Sequence, residues 1–302
     1  MQSLDKILVV LDTYEEILEG EGNLPVEVSK ALQFVSNKEK TRILLVSCGY
    51  EKFLHDSYYN IGDELRVLRE EHCSRLEEKL NSIARQLRKQ GYQIETQLVW
   101  AYPRYEQVVK SSIDFSADLV IQHTRPYSKL ARTFLTNDSW QLVRFCPKPL
   151  LLVKDRKWKQ EPIILAAVDP VHSHHKPLKL DHKIIKTALK VSKSLGGELH
   201  VLHAYAEVSR PFALPDIILK AHSTAFEELL TDFNIDSDHR HLVDESPVFA
   251  LQRFEGNLNS DILVMGALSR SRLSDALIGN TAEKVLDYLE SDVLIVKPQS
   301  IS

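Results

Sequence analysis

Short apolar runs rich in Leu, Ile and Val alternate along this chain with longer stretches whose apolar residues recur at steps of three and four. That alternation predicts parallel strands joined by helices. The first half offers strands at Ile7–Leu11, Arg42–Val46, Gln93–Trp100, Asp118–Gln122 and Leu150–Val153. The second offers Ile163–Val168, Leu199–Ala204, His239–Val243, Asp261–Met265 and Val293–Val296. Unbroken runs such as ILLV, LLLV and VLIV indicate strands covered on both faces, as in a doubly wound sheet. Between strands two and three of the first half, Leu65, Leu68, His72, Leu76, Leu80, Ile83 and Leu87 form a helical stripe that ends before Gly91. Its second-half counterpart spans about Pro215–Phe233. Ile184, Ala188, Val191 and Leu195 line the helix before it, closed by Gly196-Gly197.

The two halves are related. Residues 261–297 lie over 118–154 without a gap, and Asp118/Asp261, Ser128/Ser271, Leu130/Leu273, Asn137/Asn280, Leu151/Leu294, Val153/Val296 and Lys154/Lys297 are identical. Chance composition would give roughly two matches over such a length. The expected architecture is therefore α/β, with two tandem doubly wound five-stranded parallel sheets over 1–154 and 161–302. Asp155–Glu161 reads as the linker. LLLV at 150–153 and VLIV at 293–296 are too apolar for bare sheet edges. Pairing the halves through these strands would make the single chain a pseudo-dimer, and the sequence does not demand a further homodimer.

The totals narrow the function. A chain of 302 residues, 43% of them apolar, suits two domains of about 150 residues. The net charge of −4 with interspersed signs gives no reason to expect a nucleic-acid partner. Cys48, Cys73 and Cys146 fit neither a disulfide framework nor a thiolate zinc site, and they suit a reducing cytoplasm. No apolar run reaches the ~18 residues of a membrane span, and the start lacks a signal-peptide pattern.

In doubly wound sheets, ligands sit beyond the carboxyl ends of the strands where the winding reverses. In the second half, strand one ends at Asp169 and strand four at Gly266. Ser269 and Gly279 are separated by nine residues, and Gly279-Asn280-Thr281 opens an amphipathic stretch. A small-residue loop entering a helix N-terminus offers backbone N–H groups to phosphate. A helix cap by Asn280 or Thr281 explains the same residues without a ligand.

These residues resemble the universal stress protein family. Its members end strand one in Asp, and its nucleotide-binding members carry G-x-x-G, nine residues, G-S/T after strand four. Here that pattern reads Gly266-Ala-Leu-Ser269, nine residues, Gly279-Asn280-Thr281, and Asp292–Pro298 resembles the family's last strand. The likeness spans both halves and is greatest to two-domain members. It implies the family's adenine nucleotide α-hydrolase-like fold. It also implies ATP or ADP, with Mg²⁺ accompanying the nucleotide. Asp169 and the backbone near Ala204 would surround adenine and ribose, and Gly266, Ser269, Gly279, Asn280 and Thr281 the phosphates. Ser269 replaces the second glycine, and Asn280 stands at the Ser/Thr position. In the first half Asp12 is kept, but His123, Pro126 and Thr136 stand where Gly266, Ser269 and Gly279 would, so no nucleotide is expected there. Trp140 is expected in a core or interface.

Other chemistry is not supported. His172, His174, His175 and His182 lack metal-ligand spacing and read as an exposed loop. His200 and His203 read as satisfied strand histidines. Arg270 and Arg272 read as solvated loop charges. No G-x-S-x-G elbow, P-loop or kinase signature is present, so no catalytic residue is assigned. The expected role is a cytoplasmic stress-response module, regulatory or ligand-sensing, that takes an adenine nucleotide or another small molecule. The alternatives are a slow ATP hydrolase and an interaction protein or carrier of an apolar ligand.

Overall fold

A computed structural model describes residues 4–11, 24–51, 62–124, 137–171, 179–206, 215–267 and 289–298. Its elements form an α/β fold with ten strands among those residues, parallel in every pairing but one. Two compact units divide the chain. One holds 1–123 and 137–148, and the other holds 124–136 and 149–302.

The first unit contains β1 (Lys6–Leu11), α1 (Val26–Gln33), β2 (Arg42–Cys48), α2 (Gly62–Lys89), β3 (Gln93–Val99), α3 (Arg104–Asp114), β4 (Leu119–His123) and α4 (Asn137–Phe145). Its strand order is β3-β2-β1-β4. The chain therefore builds outward from β1 and returns to its other side. Ile7, Leu8, Val9, Leu45 and Ile121 are fully buried, as the unbroken apolar runs require for strands with both faces covered.

The second unit contains β5 (Leu150–Val153), β6 (Ile163–Val168), α5 (Leu180–Leu195), β7 (Glu198–Tyr205), α6 (Pro215–Leu230), β8 (Arg240–Asp244), α7 (Pro247–Leu258), β9 (Ile262–Gly266) and β10 (Asp292–Val296). Its order is β5-β10-β9-β6-β7-β8. α5 packs on β6 and β9 and buries Ile184, Ala188 and Val191. Burial of a side chain such as Ile184 or Val191 is worth about 1.5–3 kcal/mol. The helix ends at Gly196 in the left-handed region, φ +66°. Gly197 then passes so close to β6 that a Cβ would stand 2.1 Å from the Pro162 carbonyl oxygen. Only glycine permits that turn into β7.

By sequence β5 is the last strand of the first half, yet it groups with the second unit, antiparallel to β10. Leu151 faces Leu294, its own repeat counterpart, while Leu150 faces Ile295 and Leu152 faces Val293. The ladder thus has a local two-fold at the Leu151–Leu294 pair. Two leucine-rich edges hydrogen-bond to each other instead of to solvent.

The segment after β5 is tied along the amino ends of β9 and β10. Trp158 Nε1 donates to Asp292 Oδ2 at 2.8 Å, and Lys159 N donates to Asp261 Oδ1 at 3.2 Å. The repeated aspartates do the same work in both units. Asp118 accepts the Lys6 N–H at 3.0 Å and Asp261 accepts the Ile163 N–H at 2.9 Å, each pinning the first strand of its sheet. That equivalence, Lys6 with Ile163, carries the repeat back into the first strands.

Candidate functional site

The second unit's winding reverses between β6 and β9, and in doubly wound sheets the carboxyl ends at such a reversal are where ligands sit. The register Val168↔His203 sets Asp169 beside Ala204, and Ala166↔Val264 sets Gly266 level with Val168. Three of the residues singled out by sequence thus converge on adjacent strand ends. Asp169 is half-buried, and its N–H donates to Asp181 Oδ1 at 3.0 Å. This bond ties the exit of β6 to the first turn of α5.

Gly266 has a packing role as well. A Cβ there would lie 3.0 Å from Leu180 Cδ2 and 3.1 Å from Ile184 Cδ1, so the glycine lets α5 lie close to β9. Beside the end of β6, His203 is fully buried. Its Nδ1 meets the Val168 carbonyl at 3.2 Å and its Nε2 meets His222 Nδ1 at 2.8 Å. Tyr205 stacks on His222. His203 therefore belongs to a satisfied interior chain of polar groups. Ser269, Gly279, Asn280 and Thr281 lie outside the described residues, as do Asp12, Pro126, Thr136, His172, His174, His175, Arg270, Arg272 and the repeat partners Ser128 and Ser271. His182 is described and meets Asp232 Oδ2 at 3.1 Å.

The same place in the first unit is built differently. Leu11 corresponds to Val168, Ser47 to His203 and Cys48 to Ala204, because β2 starts beside Lys6 as β7 starts beside Ile163. The Leu11 carbonyl accepts Arg104 Nη2 at 2.8 Å and Ser47 Oγ at 3.5 Å. Burial pushes the Cys48 thiol pKa up, and the Arg104 guanidinium works against that shift. A cationic side chain thus reaches the end of β1. His123 stands where the second unit has Gly266. Trp140, on α4, is half-buried.

A second constellation escaped the sequence reading. Glu198, His200 and His241 share one face of β7 and β8, and His239 lies on the short turn entering β8. His200 Nδ1 meets His241 Nε2 at 3.0 Å, and the His200 and His239 ring centres are 4.2 Å apart. Burial, helped by the charges of His239 and His241, pushes the His200 pKa down to about 4. Burial likewise lowers that of His241, with His239 adding to it. His200 on one strand and H-R-H on the next, each at period two, was the available signal. It becomes visible only once the register of β7 against β8 is known.

The description of the universal stress protein family matches residues 163–297, from the first residue of β6 to the residue after β10. Universal stress protein E of Photorhabdus laumondii subsp. laumondii is 31% identical over 220 residues, which cover 69% of this chain and 70% of that protein. The chain belongs to the universal stress protein family. Within the family its likeness is to the E type. Universal stress protein E of Salmonella typhi is 29% identical over 78% of each chain. A crystal structure from Pseudomonas aeruginosa UCBPP-PA14, provisionally assigned to the universal stress proteins, superposes with a TM-score of 0.74 at 26% identity. The match covers 98% of this chain and 94% of that one. A universal stress protein from Archaeoglobus fulgidus shares the fold at a TM-score of 0.68 and 18% identity, over 97% of this chain and 98% of that one. Universal stress proteins act in the general stress response. Among the described residues no helix is long and apolar enough to cross a membrane.

Proposed function

We propose that this universal stress protein is a cytoplasmic regulatory or ligand-sensing module whose second half binds ATP or ADP, with Mg²⁺ accompanying the nucleotide. The supporting observation is the convergence of Asp169, Ala204 and Gly266 at the carboxyl ends of three adjacent strands, β6, β7 and β9. An acidic side chain suits ribose hydroxyls, and an end of β9 without a side chain suits the approach of phosphate to backbone. Gly266, Ser269, Gly279, Asn280 and Thr281 would take the phosphates, and Mg²⁺ would be held chiefly by phosphate oxygens and water. The first half takes no part in this binding, because Arg104 and His123 stand at the corresponding strand ends. The same reading treats 1–154 and 161–302 as tandem copies forming a pseudo-dimer. The two-fold ladder of β5 and β10 favours it.

Occupancy of the strand ends by nucleotide would alter the surface presented to a partner, which is how a module without a catalytic group can signal. Isothermal titration calorimetry with ATP and with ADP tests the reading. One nucleotide per chain is expected, with binding lost in Gly279→Arg and weakened about tenfold or more in Asp169→Ala. Absence of nucleotide heat from the unmodified protein would eliminate the nucleotide half of the proposal.

A further inference from the structure

The histidine cluster on β7 and β8 lies away from the carboxyl strand ends and serves no purpose in nucleotide binding. One ligand atom from each of Glu198, His200 and His239 lies within 4.8 Å of the others. Glu198 Oε2 is 3.9 Å from His200 Nε2. Around a tetrahedral Zn²⁺ with bonds of about 2.0–2.2 Å, ligand atoms stand roughly 3.3–3.6 Å apart. The contraction needed is small, and the groups free to make it are the outer ones. The Glu198 side chain is 56% exposed while that of His200 is 8% exposed. His239 sits half-exposed on a three-residue turn.

We propose that Glu198, His200 and His239 form a Zn²⁺ site, with His241 holding His200 in the tautomer that leaves Nε2 free for the ion. Assigning the proton to His200 Nδ1 makes it the donor in the 3.0 Å contact with His241 Nε2. Metal-bound imidazoles are held in this way by an acceptor on the other ring nitrogen. His241 is in turn packed against Phe254 of α7, ring centres 4.8 Å apart. Two neutral imidazoles and one carboxylate form a set suited to a borderline divalent ion, with the fourth position open to water.

The first unit supplies an independent observation. Carried through the strand registers, Glu198, His200, His239 and His241 correspond to Arg42, Leu44, Glu95 and Gln97. There Arg42 Nη2 pairs with Glu95 at 2.5 Å, and Leu44 is buried. One copy therefore closes this part of the sheet with an ion pair between β2 and β3. The other has replaced every member by a metal-ligating group or its support, and an ion bridging β7 to the turn before β8 would take the place of the ion pair.

The test uses the full chain, stripped with chelator and free of nucleotide, so its outcome is independent of the nucleotide proposal. Calorimetric titration with ZnCl₂ and absorbance titration with Co²⁺ should show binding that Glu198→Gln and His239→Asn each weaken about tenfold or more. Both residues reach solvent, so both variants should fold; circular dichroism in metal-free buffer checks this. His182→Asn should bind as the unmodified protein does. Failure of the unmodified protein to bind Zn²⁺, or equal binding by folded Glu198→Gln and His239→Asn variants, would overturn the site.

Discussion

The carboxyl end of β1 and the carboxyl end of β6 hold corresponding places in the two units, and the chain has finished them in opposite ways. At β1 an arginine from α3 donates to the last carbonyl of the strand, at 2.8 Å. At β6 the corresponding carbonyl meets a buried histidine, and the chain leaves the strand through a half-buried aspartate. One end thus carries its own cation, and the other presents an acid beside a glycine. The two units share a frame, seen in the paired roles of Asp118 and Asp261. They differ at the strand ends, where ligands would approach.

The comparison can be broken most severely at the aspartates. Asp261 is wholly buried, accepts two backbone N–H groups and has Lys159 Nζ at 3.7 Å. Asp261→Ala should cost about 3–5 kcal/mol in urea unfolding, since it strands buried donors and a nearby cation. Asp118→Ala, whose N–H partners are Asp5 and Lys6 nearer the surface, should cost only about 1–2 kcal/mol. Equal losses would mean that the two pins are not differently buried in solution.

The histidine cluster gives the second unit a pH dependence that Leu44 denies the first. The fold disfavours the charged form of His200, so its contribution is intact above the ordinary histidine pKa of about 6.5. It is lost as pH falls through 6.5 toward about 4, a loss of up to about 3 kcal/mol. Chemical denaturation across that window, in metal-free buffer, should show the loss in the unmodified protein and a flatter profile in His200→Gln. The smallest effect belongs to the strand ends of the first unit. Arg104→Met removes a charged hydrogen bond from the Leu11 carbonyl and should cost about 1–2 kcal/mol in the same unfolding assay. On the nucleotide reading proposed above, stoichiometry should stay at one per chain, and a rise to two would show that Arg104 alone had kept nucleotide from the end of β1.

Much of this was legible in the sequence for definite reasons. Strands covered on both faces read as unbroken apolar runs, which made the central strands plain, whereas β3 (QIETQLV) and β8 (RHLVD) are more polar and half-exposed; the stripe of Ile184, Ala188 and Val191 is the buried face of α5. Asp169 and Gly266 were found because strand ends can be located from those runs. The need for a partner along β5 followed from LLLV. What remained hidden depends on register and on contacts distant in the chain. His200 and His241 are 41 residues apart and meet only through pairing of β7 with β8. Arg104 drew no notice in the sequence, because its contact with Leu11 spans 93 positions. Trp158 interrupted a polar linker with no visible purpose until Asp292 supplied its acceptor. Gly266 suggested room for a ligand, and the structure adds a second constraint on it, the nearness of Leu180 and Ile184.

The antiparallel pair of β5 and β10 has a consequence for cells that vary their protein levels. A strand edge closed by a separate copy opens on dilution, because the partner is lost by mass action. Here the partner strand is part of the same polypeptide, joined to β6 by the short stretch through Trp158, so its local concentration is set by tether length instead of by expression. The leucine-rich edge of β10 should therefore remain covered in the first few molecules made under stress as securely as in an abundant pool.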